Sequence, residues 1–414
     1  MKETRKQKWS AKRIIFTVLL IFLMVILLVA AAALIYINHM LNKINKVNPE
    51  LDYTISSSAA DDLVYNDPDL ITQDPNATET YIKIEDITFP PMTLLPTVPV
   101  PPTETTWPIQ TTLPTPPVTG TLPPVTVPTQ PTTTAPTQPA PTEPVDPLDD
   151  IFGDHLVNIL LIGQDRAPGE GRQRSDSMIL VSINKSNSTI TLTSFMRDQY
   201  VQIPGYKPNK LNNAFAYGGM NLLKKTLELN FGVKIDGMVE VDFSGFENII
   251  DLLGGVDVTL TKKEAKYLND LHEAGLLDSP VTEGPFHLNA KQALVYVGVR
   301  EIDTDYHRAG RQREVIMGLI EAYKDLPFDQ MLALMDEILP LITTDLSNAR
   351  ILGYAVEFFP MLSSAKVQTL RIPVDGTFVG GLVEVRENFY GWFQYNIDFE
   401  ANKKVLYEIF RRRD

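Results

Sequence analysis

Along residues 151–414 the apolar positions follow two rhythms. Short unbroken or alternating runs mark strands, and recurrence every three to four residues marks helices with one face turned inward. "LVNILLIG" (156–163) predicts a buried strand, and "MILVSINKSNSTITLTSF" (178–195) predicts two strands joined by a polar turn. "MNLLKKTLELNFG" (220–232) sets Leu222, Leu223, Leu227 and Phe231 on one helical face before a glycine stop. "MVEVDF" predicts a strand, "SGFENIIDLLGG" a helix closed by Gly254 and Gly255, and "VDVTL" another strand. Helical patterns follow at 289–297, 308–324, 328–339 and 347–362. "AKVQTLRIP" (365–373) then predicts a late strand, and "DFEANKKVLYEIFRR" (398–412) a closing helix capped by Asp398. Strands interleaved with helices predict an α/β fold, an αβα sandwich around a mixed central sheet. There is no internal repeat.

The pattern changes sharply toward the N-terminus. Residues 14–37 run 24 positions without a charge, enough for a helix to cross about 30 Å of hydrocarbon with some tilt. Lys2, Arg5, Lys6, Lys8, Lys12 and Arg13 precede it, so the expected orientation keeps residues 1–13 in the cytoplasm and everything after residue 38 outside. The run is too long for an ordinary signal-peptide core. The expectation is an uncleaved single-pass anchor in the cell membrane. Residues 90–147 hold 19 prolines and 17 threonines, a composition that cannot build a core. We therefore expect 38–150 to be an extracellular, disordered, acidic and Pro/Thr-rich linker, a stalk lifting the domain at 151–414 from the membrane.

Charge sharpens this division. Residues 1–50 carry net +6, residues 51–150 net -13 and residues 151–414 net -7, within a total of -14. Most of the acidity thus belongs to the middle segment, and a local arginine cluster in the last one can still attract an anion. The absence of cysteine excludes disulfide frameworks, thiolate nucleophiles and Cys-ligated zinc. The five histidines lack HExxH or HxxxH spacing, which argues against a zinc hydrolase.

Three polar stretches carry candidate chemistry. In "LLIGQDRAPGEGRQRSDSMIL" (160–180), Asp165 and Arg166 follow a strand end, and Arg174 and Asp176 stand where the next strand begins. Acids at strand ends suit a hard cation such as Mg²⁺, with the arginines on phosphate. From spacing alone, turn-forming aspartates with nearby ion pairs are the favoured account. In "TSFMRDQYVQIPGYKPNKLNNAFAYGG" (193–219), Arg197 and Asp198 again sit at a strand end, and Lys210 and Asn212 precede what looks like a packed helix. A structural salt bridge and an exposed loop lysine are the plainer alternatives. In "DYHRAGRQREV" (305–315), Arg308, Arg311 and Gln312 share a helix face, Arg313 points elsewhere, and Arg300 lies just upstream. Guanidinium forks suit phosphate oxygens, and Glu301, Asp303 and Asp305 offer neutralisation instead.

Taken in order, "NILLIGQD", "RSDSMILVSIN", "SFMRD", "KLNNAFAYGG", "DFSGFENIIDLLGGVDV", "LNAKQALVYV" and "HRAGRQREV" resemble the LytR–CpsA–Psr family of bacterial cell-wall enzymes over residues 157–320. The resemblance implies a membrane-anchored phosphotransferase. Its donor is a glycopolymer on a polyprenyl-pyrophosphate carrier, such as teichoic acid or capsule, and its acceptor is peptidoglycan, joined through a phosphodiester. It further implies Asp165 and Asp176 beside Mg²⁺, and Arg166, Arg174, Arg197, Arg300, Arg308, Arg311 and Gln312 around the pyrophosphate. Asp165, Arg197 and Arg308 would be closest to the chemistry. Asp198 would orient Arg197, with Lys210 and Asn212 in support. The lipid would lie in an apolar pocket, with helices near 220–231, 246–253 and 351–362 as candidate walls. This sequence departs from the family pattern at Gly298, where an arginine is usual, at Met196 for a proline, and at His307 for a glycine. A pyrophosphatase using water, or a non-catalytic lipid- or glycan-binding surface protein, are the alternatives. A nucleic-acid partner conflicts with the anchor.

Overall fold

The computed structural model describes residues 38–46, 71–72, 82–89, 149–164, 172–387 and 389–411. The expected anchor at 14–37 and the whole Pro/Thr-rich stretch at 90–147 lie outside them. Among the described residues no helix is long and apolar enough to cross a membrane.

The elements begin with β1 (Asn45–Lys46), β2 (Ile71–Thr72) and β3 (Ile82–Lys83), a short α1 (Asp149–Phe152), and then the long strands β4 (Leu156–Gln164), β5 (Ser175–Asn184) and β6 (Thr189–Phe195). A small ladder, β7 (Tyr200–Val201) with β8 (Asn209–Lys210), leads into α2 (Leu211–Phe231). Next come β9 (Gly237–Asp242), α3 (Phe243–Leu252), β10 (Val256–Leu260), α4 (Lys262–Glu273), β11 (Gly284–Leu288), α5 (Ala290–Gly298) and α6 (Asp305–Tyr323). The chain closes with α7 (Phe328–Ile338), β12 (Thr343–Thr344), α8 (Asn348–Leu362), β13 (Lys366–Ile372), β14 (Val379–Arg386), β15 (Phe389–Tyr395) and α9 (Phe399–Phe410).

The central sheet has seven strands in the order β1-β12-β9-β4-β5-β6-β13. It is mixed: β4 runs antiparallel to β5 and parallel to β9, and β13 runs parallel to β6. Both faces of β4 are used, which is why it reads as a nearly continuous apolar run. On one face Leu160, Ile162, Met178 and Leu180 pack with Leu223, Leu227 and Phe231 of α2 and Leu406 and Phe410 of α9. On the other, Leu161, Ile179, Val239 and Val241 look toward α3, α5 and α6. The expected αβα sandwich is therefore present. α2 begins nine residues earlier than its apolar rhythm indicated, because Gly218 and Gly219 leave helical geometry and interrupt that rhythm. A Cβ on Gly218 would lie 2.6 Å from Leu222 Cβ, so the interruption requires glycine. The β14–β15 hairpin and α4 went unanticipated, although Thr261 and Glu264 form a capping box that announces α4 in the sequence.

The linker boundary needs correction. Within 38–150, residues 38–46 belong to the domain: Met40, Leu41 and Ile44 are buried with Leu339, β1 pairs with β12, and Lys43 Nζ lies 2.7 Å from Asp336. β2 and β3 pair with β15 and β14, and Phe89 stacks on Tyr200 at 5.3 Å. Phe89 and Phe152 both pack on the main core. The described residues on either side of the Pro/Thr-rich stretch thus both lie on the domain. Short apolar clusters inside an acidic segment gave too little periodicity to reveal this.

Candidate functional site

The antiparallel β4–β5 pair opens at a bulge beside Gly163, where a Cβ would press within 3.0 Å of Ser177. Just past this point β5 presents Asp176, and the end of β6 presents Arg197. α6 approaches from above with Asp305 and Arg308 on its first turn, and Arg300 lies between α5 and α6. Arg197 Nη1 donates to Asp176 Oδ1 at 2.9 Å, and Arg300 Nη2 donates to Asp176 Oδ2 at 2.5 Å. Arg308 Nη2 reaches the Asp176 carbonyl at 3.4 Å and lies 2.5 Å from Asp305 Oδ1. Arg197 Nε is 3.5 Å from the same Asp305 oxygen and 3.6 Å from Asp198. Lys210 Nζ holds Asp198 at 3.1 Å and sits 4.9 Å from the Phe393 ring centroid. Asp198 is thus ion-paired with both Arg197 and Lys210, and the Asn212 backbone N–H donates to the Arg197 carbonyl at 3.3 Å.

The electrostatics follow from burial. Burial alone would raise the Asp176 carboxyl, but Arg197, Arg308 and Arg300 outweigh it and hold it at about 2. Burial pulls Arg308 down to about 10 against the attraction of Asp305, and the charges of Arg197 and Arg300 add to the effect. Asp305 is raised, again chiefly by burial. Burial thus opposes the charge on both partners of the Arg308–Asp305 pair, and Arg308, at about 10, keeps its charge at neutral pH. The buried Arg308 Nε has no hydrogen-bond partner among the described residues, a deficit that an anionic oxygen would fill. Arg300, with 39% of its side chain exposed, is the most accessible guanidinium of the set.

This charged head closes one end of a cavity of about 710 Å³. Asp176, Arg300, Arg308 and Gln312 border it, and the remainder is mostly apolar, with walls from the sheet, from Phe246 and Ile249 of α3, from Leu294 and Val297 of α5, and from Val315, Ile316 and Leu319 of α6. Of the helices expected as walls, only the 246–253 one takes part. The 220–231 helix packs on the opposite sheet face, and the 351–362 helix borders a separate cavity with α7. Arg308 and Gln312 were read from the sequence as sharing a helical face, and the structure continues that face into the cavity with Val315, Ile316 and Leu319.

Arg311 does not join the head. It is buried, donating to Asp303 Oδ2 at 2.6 Å, to Glu264 Oε1 at 3.2 Å and to the Val299 carbonyl at 2.6 Å. Its expected place at the pyrophosphate is corrected to a pin holding α6 against α4 and the turn after α5. Arg313 donates to Ser194 Oγ at 2.6 Å, away from the cavity. Arg174 is half-buried ahead of β5 and outside the cavity lining. Asp165 and Arg166 lie outside the described residues. Asp305, anticipated only as a neutralising acid, is integral to the network. For a divalent cation, Asp176 is an ionised oxygen ligand at the cavity head and so fits by its chemistry. Among the described residues no group of three acids or histidines stands ready to hold a metal.

The arrangement is a guanidinium–carboxylate head on an apolar cavity. The model of the LytR_cpsA_psr family matches residues 130–397. The chain is 32% identical over 225 residues to the polyisoprenyl-teichoic acid–peptidoglycan teichoic acid transferase TagT of Bacillus subtilis (strain 168), covering 53% of this chain and 68% of that one. It is 31% identical over 226 residues to a transferase of the same description, TagU, of Bacillus cereus, covering 53% and 70%. A solved structure described as TagT bound to LIIa-WTA is 29% identical, with a TM-score of 0.50, over 64% of this chain and 94% of that one.

Proposed function

We propose, on the premise that the chain belongs to the LytR_cpsA_psr family, that it is a phosphotransferase moving a glycopolymer of the teichoic acid class from a polyprenyl-pyrophosphate carrier onto peptidoglycan. The observation that carries this reading is the amphipathic cavity, in which the apolar walls end at Arg300, Arg308 and Asp176. A polyprenyl pyrophosphate has the same two parts, a long hydrocarbon and a compact polyanion. The related TagT and TagU carry teichoic acid transferase names.

Phosphoryl transfer depends on neutralising charge and aligning the reacting oxygens in line, more than on covalent chemistry by the protein. In this reading Arg300 and Arg308 take the pyrophosphate oxygens, exchanging Asp176 and Asp305 for the ligand. Arg197 holds Asp176 in place, and Asp198 with Lys210 holds Arg197. The acceptor hydroxyl attacks the phosphorus next to the glycopolymer, and polyprenyl phosphate leaves into the cavity. Asp176, at about 2, is too acidic to take the hydroxyl proton efficiently at neutral pH. Asp165 remains our candidate for that step. Asp176 with Asp165 would hold Mg²⁺, which when bound supplies further positive charge to phosphate oxygens. We further propose that residues 14–37 anchor the chain, with the domain outside the cell. The docking of residues 38–46 on the domain supports a catalytic head held close to the bilayer, where the lipid carrier lies.

The test uses a lipid-pyrophosphate-linked glycan with and without peptidoglycan oligomers. The expected product is a glycan–peptidoglycan phosphodiester, formed only with acceptor and lost on Arg300→Ala. Release of free glycan phosphate at the same rate with or without acceptor would instead indicate a pyrophosphatase.

A further inference from the structure

One surface beside the site lies outside the cavity lining. Tyr306 follows Asp305 on α6 and lies two residues before Arg308, about 200° around the helix from the cavity-facing side. Its ring meets Phe378 at 6.3 Å between centroids, and the Arg371 guanidinium stacks over it at 4.2 Å. Gln394 on β15 donates to the Tyr306 hydroxyl at 3.0 Å, and the Gln394 amide donates to the Asp198 carbonyl at 2.9 Å. The hairpin is thereby tied to the loop that holds Arg197. Farther out, Trp392 is 49% exposed. A Cβ placed on Gly380 would stand 3.2 Å from the Trp392 ring and 3.7 Å from Phe378, and one on Gly381 would stand 3.7 Å from the Tyr395 hydroxyl. Trp392 and Phe378 therefore flank Gly380 on one face of the hairpin, and Tyr395 lies on the opposite face with buried Phe393.

From this geometry we infer that the strip from Tyr306 through Phe378 to Trp392 is the binding surface for the acceptor, a glycan strand of N-acetylated aminosugars. The inference rests on the transferase reading and adds the acceptor's location to it. In-line displacement requires the nucleophile opposite the leaving polyprenyl phosphate. Tyr306 stands on the α6 turn that carries Arg308 and is tied through Gln394 to the loop carrying Arg197, so the strip adjoins the cavity head outside the lipid-facing stripe of Arg308, Gln312 and Val315. Aromatic rings offer flat apolar faces to the C–H faces of sugars, and Gly380, with no side chain, leaves the Trp392 and Phe378 rings uncovered between them. Arg371, ion-paired with exposed Asp375, adds a cation for carboxylates on the muramic acid or its peptide.

The full chain contains three tryptophans. Replacing Trp9 and Trp107 by phenylalanine leaves Trp392 as the sole reporter. Titration with soluble, uncross-linked peptidoglycan oligomers is expected to change its fluorescence, and polyglycerol phosphate, a stand-in for the donor polymer, is expected to leave it unchanged. In the transfer assay, Trp392→Ala and Phe378→Ala are each expected to raise the acceptor concentration for half-maximal rate about tenfold. Donor-lipid affinity is expected to stay at the wild-type value, and Trp392→Phe to recover most of the loss. The inference is overturned if transfer proceeds with unchanged acceptor dependence in both alanine variants, or if polyglycerol phosphate and not the oligomer perturbs Trp392. A fluorescence response to oligomers in a chain that transfers nothing would uphold the glycan surface and sink the transferase reading instead.

Discussion

Asp176→Asn tests the electrostatic core of the site, because asparagine keeps the shape and removes the charge. The folded carboxyl sits at about 2 against an ordinary 3.8, and its side chain is 14% exposed, so solvent screens the interaction little. A difference of that size corresponds to about 2 kcal/mol at neutral pH. The folded value is depressed, so this stability is fully present above the ordinary value and is lost as pH falls through about 2. About half should remain at pH 3. Removing the carboxylate also leaves Arg197 and Arg308 buried with one fewer anion, which moves the total cost toward about 3–5 kcal/mol. Urea unfolding of wild type and variant at pH 7, 5, 4 and 3 reads both effects. The expected gap is widest at pH 7 and 5 and narrows by about 1 kcal/mol by pH 3. A gap that is constant with pH would show that the three arginines do not hold this carboxyl down, and the account of the site would fail with it.

Other perturbations separate structural from functional arginines. Arg311→Ala should cost about 3–5 kcal/mol in thermal or urea unfolding, since Asp303 and Glu264 lose a buried partner. Arg300→Ala, whose guanidinium is 39% exposed although its partner Asp176 is buried, should cost about 1 kcal/mol while abolishing transfer, and equal stability losses in the two variants would contradict this division. Gly298→Arg should fold normally, because a Cβ there meets nothing within 4 Å, and should tighten binding of a soluble lipid-diphosphate analogue measured by calorimetry. Weaker binding would mean that the new arginine blocks the mouth. Met40→Asp should lower domain stability by at least about 2 kcal/mol, since Met40 is 1% exposed in an apolar cluster, and unchanged unfolding would show that residues 38–46 are not part of the domain.

Much of this molecule was legible before any tertiary contact was known. The apolar rhythm located β4, β5, β6, β9, β10 and most of the helices, because burial on one face imposes a period on local sequence whatever lies opposite. The strand-end placement of Asp176, Arg197 and Asp198 and the helical face of Arg308 with Gln312 were visible for the same reason. Less legible were α4, whose cap was its clearest signal, and the β14–β15 hairpin, whose glycines and charges blur alternation. The short clusters at 38–46 and 82–89 fold only by joining a sheet and core supplied by residues hundreds of positions away.

Arg308 and Arg311 make the division clearest. Their spacing puts both on neighbouring sides of one helix, and that follows from 3.6 residues per turn alone. Which of them meets the cavity depends on what packs against each side. Arg308 finds Asp176 and open space, whereas Arg311 finds Glu264, Asp303 and a carbonyl that enclose it. Local sequence determined the elements, their inward faces and the kind of chemistry they carry. Tertiary structure decided which charges are consumed in holding the fold and which border the cavity, because the sign and distance of a neighbour are set by chain segments that no local pattern describes.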